Sequence, residues 1–462
     1  MRLTYRCAWL GVLLAGCPGD GNEDDTTSTF GSATAASSDT QAPATDDATS
    51  TTEAVDTGPS TTDCTAGLPG CPCLPDNTCM GDFVCEGGTC QDPEGSTTTS
   101  DDTTSGGPSV CGNGMAEAGD LCLGGATPFL MGAGTIAIAL ADFDTDPALD
   151  LVAANRDANT VSIRLGDGMG DFGVQATFPT GTGPVAIGTG DFNGDTNLDV
   201  VTVNVTSLDV TVLPGTGTGN FGPPSPVVSL GVAPLTPTDL AVVDLDNDGD
   251  LDVLVTESTG SLVHVLRQDL GAFLPTATFA TGTGPSGLHP ADFSGNGITD
   301  MITSDATGGT VSVLLGNGFG QLGGATSATA GANPLDVASG DINGDGLTDA
   351  IVANPGGNLT VRLGNGLGAF GGQLSFVVAG GPQSIVAADL DLDGDTDVAV
   401  ACADGFVRVL VGGGGSLVPG PEIMVGLMPD DIIAADVNED GLLDLVTANL
   451  GSGGVSLILS DA

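Results

Sequence analysis

Seven times between Asp142 and Asp444 the chain sets oxygen-bearing side chains at positions 1, 3, 5 and 9 of one short phrase. The copies are Asp142-Asp144-Asp146-Asp150, Asp191-Asn193-Asp195-Asp199, Asp244-Asp246-Asp248-Asp252 and Asp292-Ser294-Asn296-Asp300. Then come Asp341-Asn343-Asp345-Asp349, Asp389-Asp391-Asp393-Asp397 and Asp436-Asn438-Asp440-Asp444. A tight turn aims residues 1, 3 and 5 at one point, and residue 9 closes the cage from the strand that follows. Hard oxygen donors on a flexible turn suit Ca²⁺, which accepts about six to eight of them. The spacing therefore predicts calcium loops, with up to seven Ca²⁺ sites. These are not EF-hands, whose twelfth position is a bidentate glutamate. Here that position holds Ala153, Thr202, Val255, Thr303, Val352, Val400 and Thr447.

The first residues of successive loops lie 49, 53, 48, 49, 48 and 47 positions apart. Such a period is too long for a calcium β-roll and fits four strands per propeller blade. Within one unit a short apolar run (Val185-Ala186-Ile187) precedes the loop, and a second, residues 198–203, follows it. A third, residues 210–213, leads into a Gly-rich turn with Phe221-Gly222, and a fourth spans residues 226–230. Short β-branched runs punctuated by Gly and Pro argue for strands rather than helices. The fold class is thus all-β, a seven-bladed β-propeller with calcium loops.

The units resemble FG-GAP/VCBS repeats, the calcium-bearing blades of the integrin α head and of many bacterial surface proteins. The resemblance covers residues 127–462 and rests on the loops and on Asp171-Phe172-Gly173, Asn220-Phe221-Gly222 and Ala369-Phe370-Gly371, with Gly364-Asn365-Gly366 before the last. It implies seven blades, with a ligand face made by second-to-third and fourth-to-first loops, opposite the calcium loops. On that resemblance Arg156, Asp157, Asn159 and the Gly-Thr-Gly turns at 181–183 and 282–284 lie on the ligand face. Ring closure is legible too. The chain ends near a third strand at residues 455–459, and Ala126-Thr127-Pro128-Phe129 aligns with the fourth-strand segment Ala176-Thr177-Phe178-Pro179. The amino-terminal strand is expected to complete the last blade and leave no ring edge unpaired.

Ahead of the propeller the composition changes. Residues 1–16 read as a lipoprotein signal peptide: Arg2 and Arg6 open it, an apolar run follows, and Leu14-Ala15-Gly16-Cys17 looks like a lipobox. On that resemblance Cys17 is lipidated, whereas an ordinary cleaved secretory signal is the plainer alternative. Residues 17–62 are rich in Thr, Ser and Asp and too poor in large apolar side chains to repay ordering, so a disordered tether is expected. Residues 63–91 crowd Cys64, Cys71, Cys73, Cys79, Cys85 and Cys90 together. In an exported chain that density points to a disulfide-rich segment, with zinc as the alternative and the connectivity open. A linker spans residues 92–109. Residues 110–126, with Cys111-Gly112-Asn113-Gly114 and Cys122, resemble a short secreted cysteine repeat that would supply one more disulfide. Cys402 is left over as a buried apolar residue.

Formal charge is −52, with seven arginines and no lysine, and 26 of the 59 acidic residues lie inside the seven loops. Metal ligation explains that share of the charge, which opposes nucleic acid as a partner and leaves the lipid anchor as the membrane contact. No later segment has the ~20 apolar residues that span a bilayer. The mature chain would keep only His264 and His289 as histidines, on strand-like segments without a nucleophile or paired base, so no catalytic residue is assigned and no enzyme is expected. Five residues beyond each ninth-position aspartate stand Asn155, Asn204, Glu257, Asp305, Asn354, Cys402 and Asn449. They either cap their own turn or form a polar ring at the upper mouth. The functional expectation is a calcium-stabilised binding or adhesion module, exported to the bacterial outer membrane or cell surface, lipid-anchored, with a protein or glycan ligand on its upper face. The alternative is a lectin-like or polysaccharide-active propeller. Sugar binding usually leans on aromatic platforms, and the propeller offers only phenylalanines, mostly at repeat positions that read as buried.

Overall fold

A computed structural model describes residues 84–86, 89–91, 121–225, 228–269, 271–273 and 277–460. The chain divides into two units. In the smaller one, Val84–Glu86 and Thr89–Gln91 pair as an antiparallel hairpin with Cys85 opposite Cys90. The expected signal, tether and linker lie outside the described residues, as do Cys17, Cys64, Cys71, Cys73, Cys79 and Cys111.

The larger unit is a ring of seven four-stranded antiparallel sheets, with no helix among the described residues. Blade 1 runs Thr135–Ala141, Asp150–Asn155, Thr160–Arg164 and Ala176–Pro179 from the axis outward. Blade 2 follows as Pro184–Gly190, Asp199–Asn204, Asp209–Leu213 and Val228–Ser229. Blade 3 is Pro237–Val243, Asp252–Glu257, Leu262–Leu266 and Ala277–Ala280, with an extra hairpin at Gln268–Asp269 and Ala272–Phe273. The inner strands of blades 4 to 7 are Pro285–Ala291, Asp336–Gly340, Pro382–Ala388 and Pro429–Ala435. Five of these seven inner strands begin with proline, which sheets accept at a first position or at a bulge. Every second strand is buried along its whole length, as a strand covered on both faces must be.

Closure is as the sequence predicts. Thr127–Leu130 pairs with Gly454–Ile458 and becomes the fourth strand of blade 7, placing Phe129 opposite Val455. Phe178 opposite Val161 and Phe279 opposite Val263 hold the same place in blades 1 and 3. Phe129 also meets Phe172 edge to face, with ring centroids 5.2 Å apart. The sheet that would end in a free edge is therefore finished by the strand that opens the propeller, and the ring is fastened at that seam.

Inner strands of neighbouring blades are tied by aspartates that the loop pattern does not include. Asp239, Asp336 and Asp431 stand five residues before the third, fifth and seventh loops, where the other blades have Ala137, Ala186, Gly287 and Ser384. Asp239 accepts from the Leu288 N–H at 2.8 Å, Asp336 from Ile385 at 2.9 Å and Asp431 from Ile138 at 3.0 Å, each in the next blade. A Cβ on Gly287 would lie 3.2 Å from Asp336, so the small residue makes room for its large neighbour.

Candidate metal centres

Each loop leaves the lower end of an inner strand and returns as the second strand. The residue at position 2 is apolar and buried in every copy: Phe143, Phe192, Leu245, Phe293, Ile342, Leu390 and Val437. It anchors the loop in the core while its neighbours on either side face outward. Position 4 has positive φ in all seven loops: Thr145, Gly194, Asn247, Gly295, Gly344, Leu392 and Glu439. Position 6 does so in six, leaving out Pro147 of the first loop. In those six the position-6 N–H donates to the position-1 carboxylate at 2.7–3.1 Å. Proline has no N–H to give, so the first loop lacks this bond. Position 5 accepts from the N–H of position 7 in all seven, at 2.7–3.0 Å. These turns hold side chains 1, 3 and 5 on one side of the loop.

The ninth-position aspartate has a task that spacing alone did not reveal. In every blade one of its oxygens accepts from the position-2 N–H at 2.8–3.1 Å. The other accepts from a backbone N–H at the foot of the third strand, at 2.7–2.9 Å. Asp150, Asp199, Asp252, Asp300, Asp349, Asp397 and Asp444 are thus buried staples joining two lower connections of one blade. Burial raises all seven carboxyls: Asp150 and Asp199 reach about 6 and Asp252 about 7, the backbone donors only partly offsetting the lost hydration. In the first, third, fifth and sixth blades each of these oxygens accepts a single hydrogen bond and keeps a lone pair for a cation.

Three loops converge carboxylates within 4.8 Å of one another: Asp142-Asp144-Asp146, Asp244-Asp246-Asp248 and Asp389-Asp391-Asp397. The fit to a divalent cation is best judged in the sixth loop. There Asp391 is 4 % exposed, and its Oδ2 and the Oδ1 of Asp389 are buried without a hydrogen-bond donor. Burial, with Asp397 beside it, pushes the Asp391 carboxyl up to about 6. Two dehydrated acceptors beside a third carboxylate are costly unless a cation joins them, so these residues fit Ca²⁺. Four of the other loops, the second, fourth, fifth and seventh, satisfy themselves further. Asn193 Nδ2 donates to both oxygens of Asp199 at 3.3 and 3.2 Å in the second, and Asn438 Nδ2 donates to Asp440 at 2.9 Å in the seventh. In the fourth, Asp292 accepts from Ser294 N, Ser294 Oγ, Asn296 N and Gly297 N. Those donors outweigh its burial and hold its pKa below the usual value. In the fifth, Asn343 Oδ1 and Asp341 share the Asp345 N–H.

At the opposite end the position-14 residues follow neither reading of the sequence, Glu257 apart. Asn155, Asn204, Glu257, Asp305, Asn354, Cys402 and Asn449 are all buried inside their blades, not around a mouth. Asn155 reaches Ser162 Oγ at 2.8 Å, Asn204 reaches Thr211 at 3.0 Å, Asp305 takes Ser312 at 2.6 Å and Asn449 reaches Ser456 at 3.0 Å. They bond across to the third strand, while Glu257 alone accepts from the N–H groups of its own turn, Thr259 and Gly260. Cys402 is free and buried. His264 is buried, which lowers its pKa, and His289 pairs with Ser339 at 2.9 Å.

The upper loops include Arg156 and Asp157, paired at 3.3 Å, and Asn159, whose Oδ1 accepts from the Gly183 N–H at 2.7 Å. The Gly-Thr-Gly turns sit beside the second-to-third loops, through Thr206 N to Thr182 O and Ala306 N to Gly284 O. A cleft of about 410 Å³ opens on this face between blades 3 and 6. Thr238, Ser258, Ser286, Thr307, Asn333 and Gln383 supply its polar lining. Its walls come from four separate repeats, so no single stretch of sequence marks it.

Fold and loops together define a seven-bladed propeller with an acidic turn in every blade. The chain belongs to the FG-GAP-like repeat family, which it matches over residues 142–202, 191–255, 244–303, 292–352, 341–400 and 389–447. No curated protein sequence matches it. Among solved structures it is similar to BBS1N in complex with ARL6DN, at 14 % identity and TM-score 0.52, covering 73 % of this chain and 96 % of that one. It is also similar to a streptogramin B lyase, at 13 % identity and TM-score 0.52, covering 73 % and 97 %. At such identities the likeness establishes the fold alone, and that fold is shared by a lyase and by a propeller held in a complex.

Proposed function

We propose that this chain is a calcium-stabilised binding or adhesion module, lipid-anchored through Cys17 and displayed at a bacterial outer membrane or cell surface. The observation that carries the binding role is the upper cleft. Its polar lining is hydroxyl and amide, with Pro285, Leu335 and Pro355 between them, and none of these groups titrates near neutral pH. Such a surface recognises a neutral polar segment of a protein or glycan through hydrogen bonds and shape, and offers no acid–base pair for turnover. Loops of unlike sequence on a repeated frame are where recognition usually resides. The BBS1N complex supports a partner-binding use of the fold. The metal loops stiffen the far end: when bound, Ca²⁺ neutralises clustered carboxylates, and Asp389, Asp391 and Asp397 are the residues best placed to hold it.

Cells carrying the chain should adhere to their target surface, and the variant Thr307→Arg, which fills the cleft, should abolish adhesion while the melting temperature stays put. Unchanged adhesion would sink the reading. A glycan array, together with polysaccharide digestion by the lipid-free Cys17→Ser chain, addresses the carbohydrate-active alternative. Turnover of a polysaccharide would replace the binding module with an enzyme.

A further inference from the structure

The third loop is the most aspartate-rich together with the sixth, yet one of its carboxylates already has a cation. Arg267 Nη1 lies 2.9 Å from Asp246 Oδ2, and the Asp246 side chain is only 8 % exposed. The other Asp246 oxygen is buried with no donor. Arg267 stands just after the third strand of its blade. The corresponding residues elsewhere are Leu165, Pro214, Leu315, Leu363, Val411 and Leu459, all apolar. Several of them pack beneath a glycine of the next blade's lower turn. A Cβ on Gly219 would meet Leu165 at 2.5 Å, one on Gly368 would meet Leu315 at 2.3 Å and one on Gly170 would meet Leu459 at 2.8 Å. Gly320 takes the same place over Arg267, where a Cβ would lie 2.6 Å from Cδ. The arginine stem therefore does the packing of a leucine while its head reaches down into the metal loop.

We infer that Arg267 is a resident counter-ion that competes with Ca²⁺ for the third loop and makes this loop fill later than the sixth. The inference rests on the calcium reading above. Its chemistry is simple: a guanidinium on Asp246 Oδ2 occupies one acceptor of the candidate Asp244-Asp246-Asp248 set and repels an arriving dication at short range. The unpartnered Oδ1 on the same carboxylate shows that the guanidinium does not satisfy the group. No apolar residue at the equivalent place in the other six blades can act this way. The third loop thus holds its charge in check without metal, where the sixth does not.

The test uses the full chain and two variants. Arg267→Gln keeps much of the stem and removes the charge, and Arg267→Leu installs the side chain found in four other blades. Crystals equilibrated with limiting CaCl₂ report the filling order by anomalous scattering. In the parent the sixth site should fill before the third. In both variants the third site should gain several-fold to about ten-fold in affinity, as expected for losing one partly shielded ion pair. Thermal melts supply a second readout: the variants should melt below the parent in chelator, and calcium should raise them by more than it raises the parent. A purely packing role for Arg267 would lower the midpoint equally in both conditions and would overturn the inference. So would a parent whose third and sixth sites fill together, or variants with an unaltered order. If the sixth site also stays empty at saturating calcium, the calcium reading fails and the inference falls with it.

Discussion

Asp431 in the inner strand of the last blade accepts the backbone N–H of Ile138 in the inner strand of the first, at 3.0 Å. The bond crosses the seam where the ring closes. Asp239–Leu288 and Asp336–Ile385 repeat it at two other blade junctions. Asp431→Ala should leave a buried N–H unsatisfied and lower stability by about 1–3 kcal/mol. Urea unfolding would measure it, and a midpoint matching the parent would show that the seam is held by packing alone.

The same seam depends on residues at the start of the propeller. Phe129 packs on Phe172 and pairs with Val455. Phe129→Ala should cost about 3 kcal/mol, the low end for a phenylalanine truncation because the ring is only partly buried. Deleting residues 127–132 should expose the third strand of blade 7 as a free edge and promote association between molecules. Light scattering would detect it, and a monomeric truncated chain with parental stability would refute the closure as a source of either.

Calcium should raise the melting temperature, because 26 acidic residues are gathered in seven loops. Each occupied site adds about 2.7 kcal/mol when free Ca²⁺ stands 100-fold above its Kd. The fourth loop, where Asp292 is already satisfied by four internal donors, should fill last, and Asp391→Asn in the sixth should remove more of the calcium effect than Ser294→Ala. Identical melts in calcium and chelator would disprove the stabilising role.

The pH response should change sign with metal. Without it, burial raises Asp150 and Asp199 to about 6, Asp252 to about 7 and Asp391 to about 6, all above their ordinary value of 3.8. A carboxyl raised in the folded state binds its proton more tightly there than when unfolded, so protonation favours folding. That contribution is complete below the unfolded pKa and is lost as pH climbs through about 6 to 7. In chelator the midpoint should therefore rise between pH 7.5 and pH 5. In saturating calcium it should fall over the same interval, because protons displace the ion. A metal-free protein that weakens on acidification across this window would contradict the prediction.

Strand identity, the loop phrase and closure at Phe129 were legible in the chain because they are local and recur. A turn needs its own Asp, Gly and Asn, a strand needs its own alternation, and seven near-copies at one period leave few ways to stack. The positive φ at position 4 was hidden because Thr145, Leu392 and Glu439 occupy it as well as glycines, and no residue type marks it. Roles that join repeats were not legible. Whether Asp239 ties a neighbouring strand or Arg267 reaches an acidic loop is set by how the folded blades bring distant residues together, and composition reads the same either way. The stapling role of the ninth aspartates was hidden for the same reason, since the two backbone N–H groups that each one joins come from separate connections of the blade. Tertiary structure decided these because burial strips the carboxylate of water and requires a partner, and only the folded ring says which backbone N–H or guanidinium is near enough to be one.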